Sequence, residues 1–364
     1  MPALPSLPPE LWLYIYQLAT ADLVPRGGAT PAQALSDLEM KRYLQAARSL
    51  GRVCRTWNRL AHEVLYENVW VNDGFASLAA AVARPEIGRL VRRIRLSTTR
   101  FDRNVSILTK CPQVEMLVLP EFPRSGRLYT VQDIQIPPLL ELRELYWVHS
   151  YWSSELLLKV LQLAPNLTHV CLLTSSTIGA DADESPRVPT LQHVETLSIT
   201  CLDSRFVRAL LRSDLRSLVD LTIDPGHFNW SNFPILPGLR KLTLSAHPMP
   251  TVVLFPAIFT RCPNVRDLRY DVRSRVQPPE VEGAGAVAAG LVCIRLSLPV
   301  STVNVWNVED QCQLLVQPAF AGIERVVLEG RWSDSDVKVK VGPSLQNLRN
   351  ALLARGGELV YGVD

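Results

Sequence analysis

Three stretches, TKCPQVEML (Thr109–Leu117), QLAPNLTHV (Gln162–Val170) and TRCPNVRDL (Thr260–Leu268), align without a gap although they lie far apart in the chain. Each reads the same way. The proline stops a helix, because it lacks a backbone donor and restricts the residue before it. A polar Asn or Gln turns the chain, and a strand follows. The apolar residues of that strand obey the spacing apolar-x-x-apolar-x-apolar, and ten copies of it run from Val91 to Leu328. The anchors are Val91/Ile94/Leu96, Val114/Leu117/Leu119, Leu142/Leu145/Trp147, Leu167/Val170/Leu172 and Val194/Leu197/Ile199, then Leu218/Leu221/Ile223, Leu239/Leu242/Leu244, Val265/Leu268/Tyr270, Leu291/Ile294/Leu296 and Ile323/Val326/Leu328. Successive copies start 23, 28, 25, 27, 24, 21, 26, 26 and 32 residues apart.

The second and third anchors are two residues apart, so a strand points both to one face, while the first lies on the turn leading in. One short strand cannot bury such a face alone. Stacked copies make a parallel sheet with a continuous core, each copy touching only its neighbours. Helical periodicity fills several gaps: Leu156, Leu157, Val160, Leu161 and Ala164 share one stripe. Phe206, Val207, Leu210 and Leu211 share another, with Asp203 or Ser204 as its N-cap, and Val105 to Thr109 suggest a shorter helix. The pattern loosens after Tyr270, where Pro278, Pro279 and GAGAVAAG (residues 283–290) intervene. The alternative is a non-repetitive α/β domain with evenly spaced strands.

This region resembles the leucine-rich-repeat family, of the irregular kind. The resemblance implies an α/β solenoid over residues 73–364, about ten irregular repeats with parallel strands on the concave side and helices on the convex side. It departs from the family in one respect. The Asn or Cys that many repeats carry three residues after the last strand leucine is replaced by Phe122, Ser150, Ser175, Leu202, Gly226 and His247, so other groups must satisfy the turns.

Residues 1–72 do not follow the repeat. Leu7-Pro8-Pro9-Glu10-Leu11 suits the start of a helix, and Leu11, Ile15 and Leu18 share its face. A second apolar series runs Leu44, Ala47, Leu50, Val53, Trp57, Leu60 and Val64. Residues 20–42 between them read as an inserted loop rich in Pro, Gly and Ala. LPPELWLYI (Leu7–Ile15) and SLGRVCRTWNRLA (Ser49–Ala61) resemble the F-box, an all-helical module that docks on the Skp-type adaptor of cullin–RING ubiquitin ligases. Leu7, Pro8, Glu10, Leu11, Val53, Cys54 and Trp57 stand at family positions. The interval from Ile15 to Val53 is roughly 20 residues longer than in the compact module, an insertion that closure entropy tolerates. The resemblance implies adaptor binding through Leu7, Pro8, Leu11, Ile15, Leu50, Val53, Cys54 and Trp57. The competing reading is a helical cap on the first repeat.

Composition narrows the function classes. A net charge of +3 without a like-charge block offers no footprint for nucleic acid. No run approaches the roughly 20 apolar residues of a membrane span. The N-terminus lacks the pattern of a secretory signal, and seven dispersed cysteines argue against a zinc site or a disulfide framework, so cytoplasm and/or nucleus is expected. The sequons at Asn104, Asn166 and Asn229 then read as chance. No nucleophile elbow, phosphate loop or H-x-x-x-H pair occurs, so catalytic residues, cofactors and metal ligands are expected to be absent. For a ligase adaptor that is consistent: the RING subunit and its E2 supply chemistry, and this chain supplies proximity to a protein substrate. Residues alternating with the anchors face away from the core, and among them Met116, Val118, Tyr146 and His169 are the candidate substrate contacts.

Overall fold

The computed structural model describes residues 45, 48–49, 51–71, 75–96, 105–119, 135–149, 154–174, 188–200, 204–224, 233–245, 252–272, 275–277, 290–298, 305–330, 332 and 335–362. The chain divides into two compact units. The first holds Met1–Ser176 with Arg187–Pro189, and the second holds Thr177–Pro186 with Thr190–Asp364.

In the first unit, helix α1 (Arg55–Glu67) is followed by β1 (Asn68–Trp70), α2 (Phe75–Val82), α3 (Pro85–Gly88) and β2 (Arg93–Arg95). A 3₁₀ turn (Ser106–Lys110), β3 (Met116–Leu119), β4 (Glu144–His149), α4 (Ser154–Leu163) and β5 (His169–Thr174) complete it. The five strands pair in parallel and in chain order, in registers that keep the anchors aligned: Val69, Ile94, Leu117, Leu145 and Val170 form one row.

The second unit contains β6 (Thr196–Thr200), α5 (Ser204–Leu211), β7 (Asp220–Ile223), β8 (Lys241–Leu244), β9 (Val252–Leu254) and α6 (Phe255–Arg261). It continues through β10 (Asp267–Asp271), β11 (Arg275–Gln277), β12 (Cys293–Leu298), α7 (Val305–Val316), a 3₁₀ turn (Pro318–Phe320), β13 (Arg325–Gly330), α8 (Ser335–Ala354) and β14 (Glu358–Tyr361). Strands β6, β7, β8, β10, β12, β13 and β14 are again parallel and in order. Strands β9 and β11 form a separate parallel pair.

All ten copies of the spacing coincide with strands. Two further strands flank them. In β1 the frame is Tyr66/Val69/Val71, its first anchor lying in the last turn of α1. In β14 the frame is Gly356/Leu359/Tyr361, so the first apolar anchor is missing; Gly356 has φ +80, where a side chain is strained.

The anchors Leu145, Leu172, Leu197, Leu221, Leu242, Leu268 and Ile294 are fully buried, each contributing about 1.5–3 kcal/mol. In the second unit helix residues complete the core. Phe255 of α6 lies edge-on to Tyr270 of β10 at 5.9 Å and to Phe320 at 5.2 Å. The Tyr270 hydroxyl, sealed beneath them, donates to Gln311 Oε1 of α7 at 2.7 Å.

The turns satisfy their backbone without the missing ladder. One carbonyl per repeat accepts two donors from the next: Arg92 O takes the Glu115 and Met116 amides, Val219 O those of Arg240 and Lys241, and Arg240 O those of Arg266 and Asp267. The turn asparagines of the aligned junctions reach back one repeat, Asn166 Nδ2 to Leu140 O and Asn264 Nδ2 to Pro237 O, both at 2.8 Å. As expected, α4, α6 and the first 3₁₀ turn end just before the junctional Ala164-Pro165, Cys262-Pro263 and Cys111-Pro112.

Candidate docking surfaces

Around Val53 the expected apolar helix is interrupted. A turn at Arg52 and Val53 breaks it, with the Arg52 amide bonded to Ser49 O, and Cys54 caps the new helix α1, its Sγ accepting from the Trp57 amide at 3.5 Å. Asn58 Nδ2 donates back to Gly51 O at 3.0 Å, tying α1 to the segment before the turn. The break lifts Val53 out: its side chain is 63% exposed, Cys54 is exposed and Trp57 half-buried. Val64, one face further along α1, is buried. Leu7, Pro8, Leu11, Ile15, Leu50 and the loop at 20–42 lie outside the described residues.

Helix α1 runs into β1 without a linker. Arg93 of β2 donates to Glu67 Oε1 at 3.2 Å and to Asn68 Oδ1 at 3.1 Å, and the Arg92 amide donates to Glu67 O. Residues 68–71, expected in the helical module, thus pair with the sheet; the helix hands over to the repeat at Glu67. On β2, the Arg95 guanidinium lies 5.6 Å over the Trp70 ring.

The alternate positions of β2–β5 behave differently from expectation. Met116, Val118 and Tyr146 come together as foreseen and cluster with Cys171, but each of the three is only 4% exposed. They are a second apolar core, not the open patch the alternation suggested. Alternation shows which way a side chain points, while its exposure depends on what lies above it. The Tyr146 hydroxyl donates to Glu144 Oε2 at 3.1 Å; burial first, then the Glu144 charge, pushes the phenol above its ordinary range. His169 is half-buried at the margin, its Nδ1 3.2 Å from Thr168 Oγ1.

On the second unit's strands the same positions are mostly polar, with Cys293 and Val327 as buried apolar exceptions. Thr196, Ser198, Thr200, Thr222 and Ser245 are half-buried hydroxyl residues. Beyond them runs a lattice of ion pairs across the strands, most between neighbours and one, Arg269–Glu329, reaching past β12. Lys241 meets Asp220 at 2.7 Å, and Arg295 lies between Asp267 at 2.9 Å and Glu329 at 3.4 Å. Arg269 also reaches Glu329, at 2.7 Å, and Arg325 pairs with Glu358. Such half-exposed pairs add little stability each, but they match sign to sign along the sheet. Alternation points Asp220, Lys241, Asp267, Arg269, Arg295 and Arg325 outward; only the register reveals that Asp267 pairs with Arg295 and Arg269 with Glu329.

Among the described residues no group of three or more His, Cys, Asp or Glu side chains is placed to hold a metal, and no helix is long and apolar enough to cross a membrane. Burial pushes the Cys111, Cys262 and Cys312 thiols from 9.0 up to about 12, which leaves them poor nucleophiles. Compared with models of known protein families and with curated proteins, the chain matches none.

Proposed function

We propose that this chain is a substrate-recognition adaptor of a Skp–cullin–F-box type ubiquitin ligase. Its N-terminal unit docks a Skp-type adaptor, and its repeats hold a protein substrate. The observation that carries the reading is the exposed Val53–Cys54 step at the start of α1, within the stretch that resembles the F-box. An aliphatic side chain left 63% exposed on a capped turn contributes little to folding and suits a partner interface. The direct passage of α1 into β1 would place docking module and repeats at a short, bonded junction, useful where a substrate must be held at a set distance from an E2.

The second reading, a leucine-rich-repeat scaffold with a helical cap and no ligase role, is favoured by that same junction. Val64 is buried and Glu67 is bonded to β2, as a cap on the first strand requires. Co-purification with a Skp-type adaptor separates the two. The adaptor reading expects the wild type to bind, and Leu11→Asp and Val53→Asp, each checked for folding, to lose at least about a hundredfold in affinity, since an unpaired carboxylate would be buried on docking. A wild type that does not bind, or variants that bind as well as it does, would leave the cap reading standing.

A further inference from the structure

The edge of the second unit where the chain leads into its strands carries a charge pattern that folding does not explain. Val219, Arg240 and Arg266 occupy the same position on three successive strands, immediately before β7, β8 and β10. They are linked in sequence by the shared carbonyls, Val219 O accepting the Arg240 amide and Arg240 O the Arg266 amide. Neighbouring strands stand about 4.8 Å apart, so two arginines are held side by side. Both are exposed, and among the described residues neither has a carboxylate within ion-pair distance; the Arg240 guanidinium reaches only the Asn264 carbonyl, at 3.4 Å. Exposed Arg212 and Arg216 lie just before Val219, and Asp214 pairs with Arg216 alone. Two aliphatic side chains are left open in the same stretch, Val219 at 45% and Ile235, in the turn leading to β8, at 62% exposure.

The corresponding edge of the first unit is built the other way. There Arg92 and Glu115, at equivalent positions on β2 and β3, pair at 3.1 Å. Like charges on adjacent strands destabilise a sheet, and opposite charges support it. Between β8 and β10 the second unit's edge gives up that support, and it adds exposed aliphatics; exposed Glu195 before β6 and Glu324 before β13 bound the strip on either side. We infer that this strip is a docking surface for an acidic protein segment bearing apolar side chains: its carboxylates would bridge Arg240 and Arg266, and its apolar groups would cover Val219 and Ile235. The aliphatic component favours a peptide over a nucleic acid, whose phosphates would use the arginines alone. The inference stands whether or not the N-terminal unit docks an adaptor.

The test is fluorescence anisotropy of the full chain with three labelled probes: a peptide of glutamates interspersed with leucines, the same peptide with lysine for glutamate, and a single-stranded DNA oligonucleotide. The expected result is binding of the acidic peptide alone, weakened by salt and by at least about tenfold in R240E/R266E. That variant should gain affinity for the lysine peptide, while R92E, on the other unit, should leave acidic-peptide binding unchanged. No binding of the acidic peptide, tighter binding of DNA, or an equal loss in R92E and R240E/R266E would overturn the proposal.

Discussion

The alternate positions of β3–β5 and those of β7–β13 occupy the same side of the same repeating strand, yet one set is core and the other surface. Met116, Val118, Tyr146 and Cys171 are buried together, whereas Asp220, Lys241, Asp267, Arg269, Arg295 and Glu329 form ion pairs within reach of water. The backbone does not distinguish them, since both regions keep the parallel register and the doubly accepting carbonyl. What differs is the choice of side chain at every second residue. A repeat therefore sets the scaffold through its anchors and leaves the opposite face free to serve as a second core or as a recognition surface. The first unit spends that freedom on stability, and the second keeps it open.

The least selective test raises the pH. Cys111 of the first unit and Cys262 and Cys312 of the second have folded values raised from 9.0 to about 12, so the folded state keeps protons that the unfolded chain releases. Stability is then full below 9.0 and falls as the pH rises toward about 12. Denaturant titrations at neutral and alkaline pH should show both units weakening, and a unit that keeps its full stability would contradict the burial of its thiols. A sharper contrast comes from Val118→Asp and Thr222→Asp. The first buries a carboxylate in the apolar cluster and should cost about 3 kcal/mol; the second, on the polar face, should stay within about 0.5 kcal/mol. Similar losses in the two would mean that both faces are covered. The smallest effect is expected from Arg295→Ala, about 1 kcal/mol at low salt and vanishing at high salt, because the pairs it breaks are partly exposed. A loss insensitive to salt would show the lattice to be buried after all.

The anchor spacing made ten strands legible because each needs two inward apolar residues and an apolar turn. It missed β1, whose first anchor Tyr66 sits inside α1, and β14, whose first anchor is Gly356. It could not show the β9–β11 pair, three residues each, too short for any period to register. The junctional asparagines were legible as turn residues, and their bonds to Leu140 and Pro237 supply part of what the absent ladder would have given. The apolar series from Leu44 to Val64 reads as one helix because its spacing is helical throughout; the turn at Arg52 and Val53 and the Cys54 cap mark a break that this spacing does not encode. Alternation shows the direction in which the candidate substrate contacts point; the burial of Met116, Val118 and Tyr146 with Cys171 is a property of neighbouring strands together, which local alternation does not encode.

The most direct test of adaptor docking uses the one exposed thiol among the described residues. Cys54 caps α1 beside the open Val53 side chain, whereas Cys111, Cys171, Cys262, Cys293 and Cys312 are buried. Alkylation of Cys54, followed by peptide mass spectrometry, should be fast in the free chain and strongly slowed by saturating Skp-type adaptor. A rate that the adaptor leaves unchanged would contradict docking through this turn.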